Sequence, residues 1–434
     1  MSIASIEKNG IVGAGGAGFP THIKLQSQVD TAILNAAECE PLIHKDEAIL
    51  LQYTDEVLRG FKKVMALSGA SQGIIAIKKK HVHIIELLKK KISDPIRIEQ
   101  MGDFYPAGDE VTLVYATTGR IVQPGELPLS IGCIVQNVET VYNIAVDQPV
   151  VEKFLTIAGE VENPVTVKVP IGTPYSELLS QIRIMTRNYR VISSGLMMGK
   201  LEKDLSQVVT KTVSGLVVLP ADHYCVQMYE RFQKPQDTIR IAKAACDQCS
   251  YCTELCPRYL LGHPVRPETA MRNVMFSQPE TTPVHSGNAF CCECNLCTLY
   301  SCPEGLDPRG STLLEKAFIL KNRELQWEGL PVTVHPMKDY RKVPTQKLMQ
   351  RLGVTQYHDT GPLTEMEIKP RQVRISLKQH VGSPASPVVQ LNQSVQKYDL
   401  VAKAEGSISA NIHASIDGQI KEVNQNEIII QGSS

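Results

Sequence analysis

Charge of one sign is missing from this chain: Lys+Arg and Asp+Glu each number 45 in 434 residues, so the formal net charge is zero. Such balance offers no general field for DNA, RNA or an anionic membrane, and no nucleic-acid partner is expected. The short basic runs Lys78-Lys79-Lys80 and Lys89-Lys90-Lys91 read as solvated faces. No apolar run approaches the roughly 18 residues of a membrane span, so no transmembrane segment is expected. Met1 to Lys8 lacks the long apolar segment of a signal peptide. With no export signal, twelve cysteines point away from disulfides and toward metal or redox chemistry in a reducing compartment. The length implies two to four domains.

Strand-like and helix-like runs alternate from residue 29 to about 147. Ile33-Leu34-Asn35, Gly73 to Ile77 and Ile131 to Val135 read as buried strands, and Ile49 to Met65 carries one helical apolar stripe. This favours a parallel sheet covered by helices. Near residue 154 the texture changes. Phe154 to Gly159, a turn at Glu162-Asn163-Pro164, and Val165 to Val169 predict a hairpin, followed by a short helix capped by Thr173 with Pro174 first. Cysteines crowd residues 246–302 between helical stretches. Residues 331–372 read as a connector, and short β-like pieces from Val373 to Ile430 predict a small all-β domain.

Cys246-x2-Cys249-x2-Cys252-x3-Cys256-Pro257 has the spacing of a two-cluster ferredoxin, in which the fourth cysteine serves the other cluster. A second set is present: Cys291-x2-Cys294-x2-Cys297-x4-Cys302-Pro303, with one extra residue before its last cysteine. Crossed ligation then assigns one [4Fe–4S] cluster to Cys246, Cys249, Cys252 and Cys302, and the other to Cys291, Cys294, Cys297 and Cys256. Cys292 is out of phase and reads as a bystander. Paired structural zinc sites are the alternative, but zinc motifs rarely repeat CxxCxxC twice with a Cys-Pro completion. Cys39, Cys133 and Cys225 read as buried free thiols, Cys39 being the one near a candidate active site.

Gly13, Gly15 and Gly18 satisfy G-x-G-x-x-G, with Glu38 twenty residues further on. The context is poor for a dinucleotide fold, since no buried strand can be written before the loop. Glycines still let backbone N–H groups approach a phosphate or a flat ring, and Lys24 adds a charge. A purely structural turn is the competing reading. Asn35 to Pro41 and Gln136 to Thr140 place polar groups at strand ends, where open α/β sheets collect ligands.

Together these segments resemble the flavin subunit of respiratory complex I and, more closely, the C subunit of Rnf electron-transport complexes. The resemblance rests on Gly13 to Thr21 with Lys24, on Asn35 to Pro41, on Tyr105 to Glu110 and on Asn137 to Thr140. It implies FMN held by Gly13, Gly15, Gly16, Gly18, Lys24, Asn35, Gly108, Asn137 and Thr140. It also implies NADH as electron donor, with Glu38 and Glu40 as catalytic-site residues beside the nicotinamide and its ribose. Ala37 stands where the complex I subunit has an acidic residue. Residues 154 to about 225 are similar to the soluble-ligand-binding β-grasp (SLBB) module. Gln379 to Gly382, Pro387 to Val389 and His413 to Gly418 are similar to the Rnf barrel-sandwich domain, there N-terminal and here C-terminal. The absence of lysine between Ala404 and Gln419 argues against a biotin or lipoate carrier.

The expected organisation is a multidomain α/β plus α+β chain. It comprises an FMN/NADH-binding α/β domain at 1–150, an SLBB β-grasp module at 151–228 and a two-[4Fe–4S] ferredoxin-like domain at 236–330. A connector at 331–372 and a barrel-sandwich domain at 373–434 complete it. This order is similar to cobalamin reductases of propanediol-utilisation microcompartments. That likeness implies an NADH-dependent oxidoreductase passing electrons from NADH through FMN and two clusters to cob(III)/cob(II)alamin. Its partners would be a corrinoid or an adenosyltransferase, with shell or lumen proteins of a bacterial microcompartment as further candidates and a cytoplasmic setting. The alternatives are an Rnf-type subunit exchanging electrons with ferredoxin or flavodoxin, and a non-catalytic scaffold that recruits partners.

Overall fold

The structure, a computed structural model, describes residues 2–276, 286–322, 327 and 329–432. The first domain opens with helix α1 (Ile3–Lys8), capped by the Ser2 hydroxyl, and then the glycine loop leads into α2 (Thr21–Lys24). A helix, not a strand, thus precedes the loop. There follow β1 (Thr31–Ala36), α3 (Lys45–Gln52), α4 (Thr54–Ser68), β2 (Gln72–Lys78), α5 (Val82–Lys89), β3 (Ile96–Met101), β4 (Phe104–Tyr105), α6 (Glu110–Thr118), β5 (Cys133–Asn137) and α7 (Val138–Val146). The sheet runs β3-β2-β1-β5 and its three pairings are parallel. The chain winds outward from β1 to β3 and then returns to β5 on the other side of β1. That reversal is a topological switch point, where such sheets open a crevice for ligands.

The long apolar stripe expected across residues 49–65 is broken into two helices at Tyr53, whose φ/ψ of −125°/37° leaves the helical region. Val57, Leu58, Phe61, Val64 and Met65 still face the core, and burying a side chain such as Phe61 stabilises by about 1.5–3 kcal/mol. Gly60 lets α4 approach α7, since a Cβ there would lie 2.1 Å from the Val141 carbonyl oxygen.

The second unit is a mixed sheet around β6 (Glu152–Gly159), β7 (Val165–Pro170), α8 (Tyr175–Leu179), β8 (Tyr189–Ser193), β9 (Lys200–Leu201) and β10 (Gly215–Pro220). Its order is β7-β6-β10-β8-β9, with the hairpin β6–β7 antiparallel as expected and β10 parallel to β6. Thr173 does not cap α8. Its hydroxyl donates to the Pro170 carbonyl at 2.8 Å, and Pro174 occupies the cap position without a side-chain bond.

The cysteine-rich unit packs the helices Pro235–Ala245, Pro267–Phe276 and Pro308–Asn322 around short turns. The segment read as a connector is partly structured. Val343–Pro344 pairs antiparallel with β4, and Thr345–Leu352 forms an amphipathic helix. The C-terminal unit has a four-stranded and a three-stranded sheet sharing one core that includes Val373, Ile375, Val401, Ile412, Ile420 and Ile428. No helix among the described residues is long and apolar enough to cross a membrane.

Candidate functional site

At the switch point, β1 and β5 place Asn35 and Asn137 side by side in register. Asn137 caps α7, its Oδ1 accepting from the Glu139 N–H at 3.0 Å, while its Nδ2 donates to Asp46 at 2.7 Å. Asn35 donates to the Gly108 carbonyl at 2.9 Å and accepts from the Ala37 N–H. The glycine loop lies over this edge. A Cβ on Gly15 would meet the Asn137 amide at 2.7 Å, whereas one on Gly16 would meet open space. Gly18 has φ +75°, a conformation that favours glycine. The Ala14 N–H donates to the Thr140 hydroxyl at 2.9 Å, and Lys24 donates to Glu110 at 2.5 Å and to the Val135 carbonyl at 2.8 Å. Gly15, Lys24, Asn35, Gly108, Asn137 and Thr140 are thus linked at one end of the sheet, whereas Gly18 packs against Thr212, Gln379 and His380. Thr21 Oγ1 and Gln136 Nε2, near this edge in sequence, are buried without hydrogen-bond partners among the described residues. An open cradle and orphaned polar atoms fit a flat, polar-edged group such as FMN.

Beneath the loop lies a charge network that residue spacing did not reveal. Lys45 pairs with Asp46 at 2.6 Å and with Glu139 at 3.3 Å. Lys153, reaching in from β6, pairs with Glu139 and donates to the Ala14 carbonyl at 3.1 Å. All four charged side chains are buried. Burial, aided by Lys45, lowers the pKa of Lys153 while Glu139 opposes the shift.

The acidic segment leaves the end of β1. Burial raises the pKa of Glu38, with the Asp46 carboxylate adding to the effect and Lys45 opposing it. Burial likewise pushes the Cys39 thiol up to about 12, so it is no ready nucleophile. The Glu40 carboxyl is pushed to about 8 by burial, although the backbone N–H groups of Met197 and Met198 donate to it at 2.9 and 2.8 Å. Lys78, expected on a solvated face, is buried and ion-paired to Asp103 at 2.8 Å, because β2 carries it into the interior.

Cys246, Cys249, Cys252 and Cys302, the set assigned to one cluster, line a common pocket. Cys256 lies beside the other set: burial raises the pKa of its thiol, and the nearby Cys292 and Cys291 thiols add to the shift. Cys249 is exposed, whereas Cys256, Cys294 and Cys297 are buried. Cys133 and Cys225 are buried free thiols as expected, whereas Cys39, also expected to be buried, is half-buried. The Tyr105–Glu110 segment spans both regions. Tyr105 donates to the Cys294 carbonyl at 2.7 Å, the Gly108 N–H donates to Cys39 Sγ at 3.4 Å, and Asp109 pairs with Arg258 at 2.9 Å.

Residues 6–146 match the Nuo51 FMN-binding domain, 245–307 a 4Fe-4S dicluster domain, and 354–433 the RnfC barrel sandwich hybrid domain. The chain is 34% identical over 264 residues to the C subunit of the Na(+)-translocating ferredoxin:NAD(+) oxidoreductase complex of Acetobacterium woodii, covering 58% of this chain and 56% of that one. Among solved structures, an NAD+-reducing [NiFe]-hydrogenase in the H2-reduced state shares the fold at TM-score 0.50 and 17% identity. That match covers 74% of this chain and about three fifths (61%) of the hydrogenase chain. Cobalamin reductase PduS of Salmonella typhimurium is 39% identical over 428 residues, covering 97% of this chain and 94% of that protein. With an FMN-binding domain, a 4Fe-4S dicluster domain and a C-terminal barrel sandwich, this chain belongs to the PduS cobalamin reductase family.

Proposed function

We propose that the chain is an NADH-dependent cobalamin reductase, taking electrons from NADH at an FMN site and delivering them through two [4Fe–4S] clusters to cob(III)/cob(II)alamin. When bound, FMN accepts a hydride and the clusters carry single electrons onward. Gly13, Gly15, Gly16 and Gly18 give the flavin backbone access, Lys24 supplies a charge, and Asn35, Gly108, Asn137 and Thr140 supply polar contacts. Glu38 and Glu40 would meet the nicotinamide and its ribose, the Glu40 carboxyl already held by the turn at Met197 and Met198. Cys256, Cys291, Cys294 and Cys297 would hold one cluster, on the side that Tyr105 contacts, and Cys246, Cys249, Cys252 and Cys302 would hold the other, where Cys249 is exposed.

One observation carries this reading: the Tyr105–Glu110 segment touches the flavin-side residues Asn35 and Cys39 and also the cysteine-side residues Cys294 and Arg258. The deciding experiment is anaerobic reduction by NADH of the reconstituted protein, with cobalamin, ferredoxin and flavodoxin compared as acceptors. Cobalamin reduction faster than that of either protein acceptor is expected. Preference for ferredoxin or flavodoxin would replace this reading with an Rnf-type exchange subunit. The 39% identity to a cobalamin reductase over nearly the whole chain supports the corrinoid as acceptor. An adenosyltransferase as partner and a bacterial microcompartment as setting complete the proposal.

A further inference from the structure

Arg258 stands two residues beyond Cys256 and is buried. Its Nη2 donates to Asp109 Oδ1 at 2.9 Å. Asp109 is itself fixed, its Oδ2 accepting from the Thr112 N–H at 2.9 Å to cap α6. The other arm of the guanidinium, Nη1, is buried with no hydrogen-bond partner among the described residues. The groups whose charges act on this side chain are Asp109 and the thiols of Cys292, Cys294 and Cys256. The His263 imidazole is also in range, and its Nε2 is occupied by the Val122 carbonyl at 2.8 Å. A cationic N–H buried without an acceptor is costly and rare, so the place where Nη1 sits calls for an acceptor.

We propose that Arg258 is a positioning residue for the cluster held by Cys256, Cys291, Cys294 and Cys297. One arm donates Nη1–H to a sulfur of that cluster, and the other anchors the flavin-side segment through Asp109. The inference rests on the cluster assignment above and deepens it. Reduction adds one negative charge to the cluster, so a buried cation bonded to sulfur stabilises the reduced form more than the oxidised form and raises the reduction potential. Asp109 acts with the opposite sign. Lysine cannot replace the two-armed fork, because its ammonium is a point charge on a flexible stem.

The test is a redox titration of reconstituted holoprotein followed by paramagnetic resonance, with iron and sulfide measured on every sample. Arg258→Met is expected to keep both clusters and to shift the reduction equilibrium of one of them about tenfold toward oxidised, a fall of about 59 mV for one electron. The other cluster stays at its wild-type potential. Asp109→Asn, which can keep the helix cap, is expected to raise the potential of that same cluster, and Arg258→Lys to give a smaller fall than Arg258→Met. Two unchanged potentials in cluster-replete Arg258→Met, equal shifts of both clusters, or a fall in Asp109→Asn would each overturn the proposal. Should Arg258→Met fail to hold clusters, the signs in Asp109→Asn and Arg258→Lys decide. Wild-type protein without iron and sulfide would instead remove the cluster assignment itself.

Discussion

Glu40 Oε1 accepts a hydrogen bond from the Met198 backbone N–H at 2.8 Å, joining segments 158 residues apart. The carboxyl is pushed from an ordinary 4.5 to about 8 by burial. The folded state therefore binds a proton that the unfolded state releases between those values, and the contribution of Glu40 to stability falls as pH rises through that window. Glu40→Gln has no such slope. Urea denaturation at pH 5, 6.5 and 8 should show wild type losing ground to the variant with rising pH, by at most about 1.4 kcal/mol per unit. A difference independent of pH would contradict the assignment.

Gly195 supports the same contact. Its φ is +111°, and a Cβ there would lie 2.5 Å from Glu40 Oε2. Gly195→Ala should destabilise by about 1–3 kcal/mol. Combining it with Glu40→Ala should cost less than the sum, because the clashing carboxyl group is gone. Thermal unfolding of the two single variants and the double variant measures this.

Lys153 ties the second domain to the glycine loop and shares Glu139 with Lys45. Lys153→Met strips a buried carboxylate of one cation and should cost about 3 kcal/mol. It also removes the donor to the Ala14 carbonyl, so flavin retained after gel filtration should fall even at temperatures where the variant stays folded.

Lys211 is buried, with its Nζ donating to the carbonyls of Gly10 and Asn411 at 2.7 and 2.8 Å. Burial lowers its pKa from 10.5 to about 7. Between those values the unfolded chain carries a proton that the folded chain does not, so this residue makes stability rise with pH from about 7 to about 10.5. Lys211→Met should lose that rise, which unfolding midpoints at pH 7, 8 and 9 would register.

Within the second cysteine set, ligand and bystander predict unequal effects of serine. Cys297→Ser should lose half of the iron and sulfide bound on reconstitution, whereas Cys292→Ser should keep the full complement. Equal losses would make Cys292 a ligand.

Local spacing determined much of this protein from the sequence alone. Cysteine intervals, the glycine cluster and polar residues ending apolar runs depend only on how far the backbone advances per residue, so they announce ligand loops and strand ends directly. The alternation up to residue 147 likewise located β1, β2 and β5 within a few residues. Tertiary structure decided the rest. Lys78, Lys153 and Lys211 look like any surface lysine in one dimension, yet each is buried because the chain returns to cover it. Asn35 faces Asn137 only through parallel register, and Glu40 meets Met198 only because a second domain folds against the first. Burial and charge pairing between distant segments are set by where the chain comes back, and spacing along it carries no record of that.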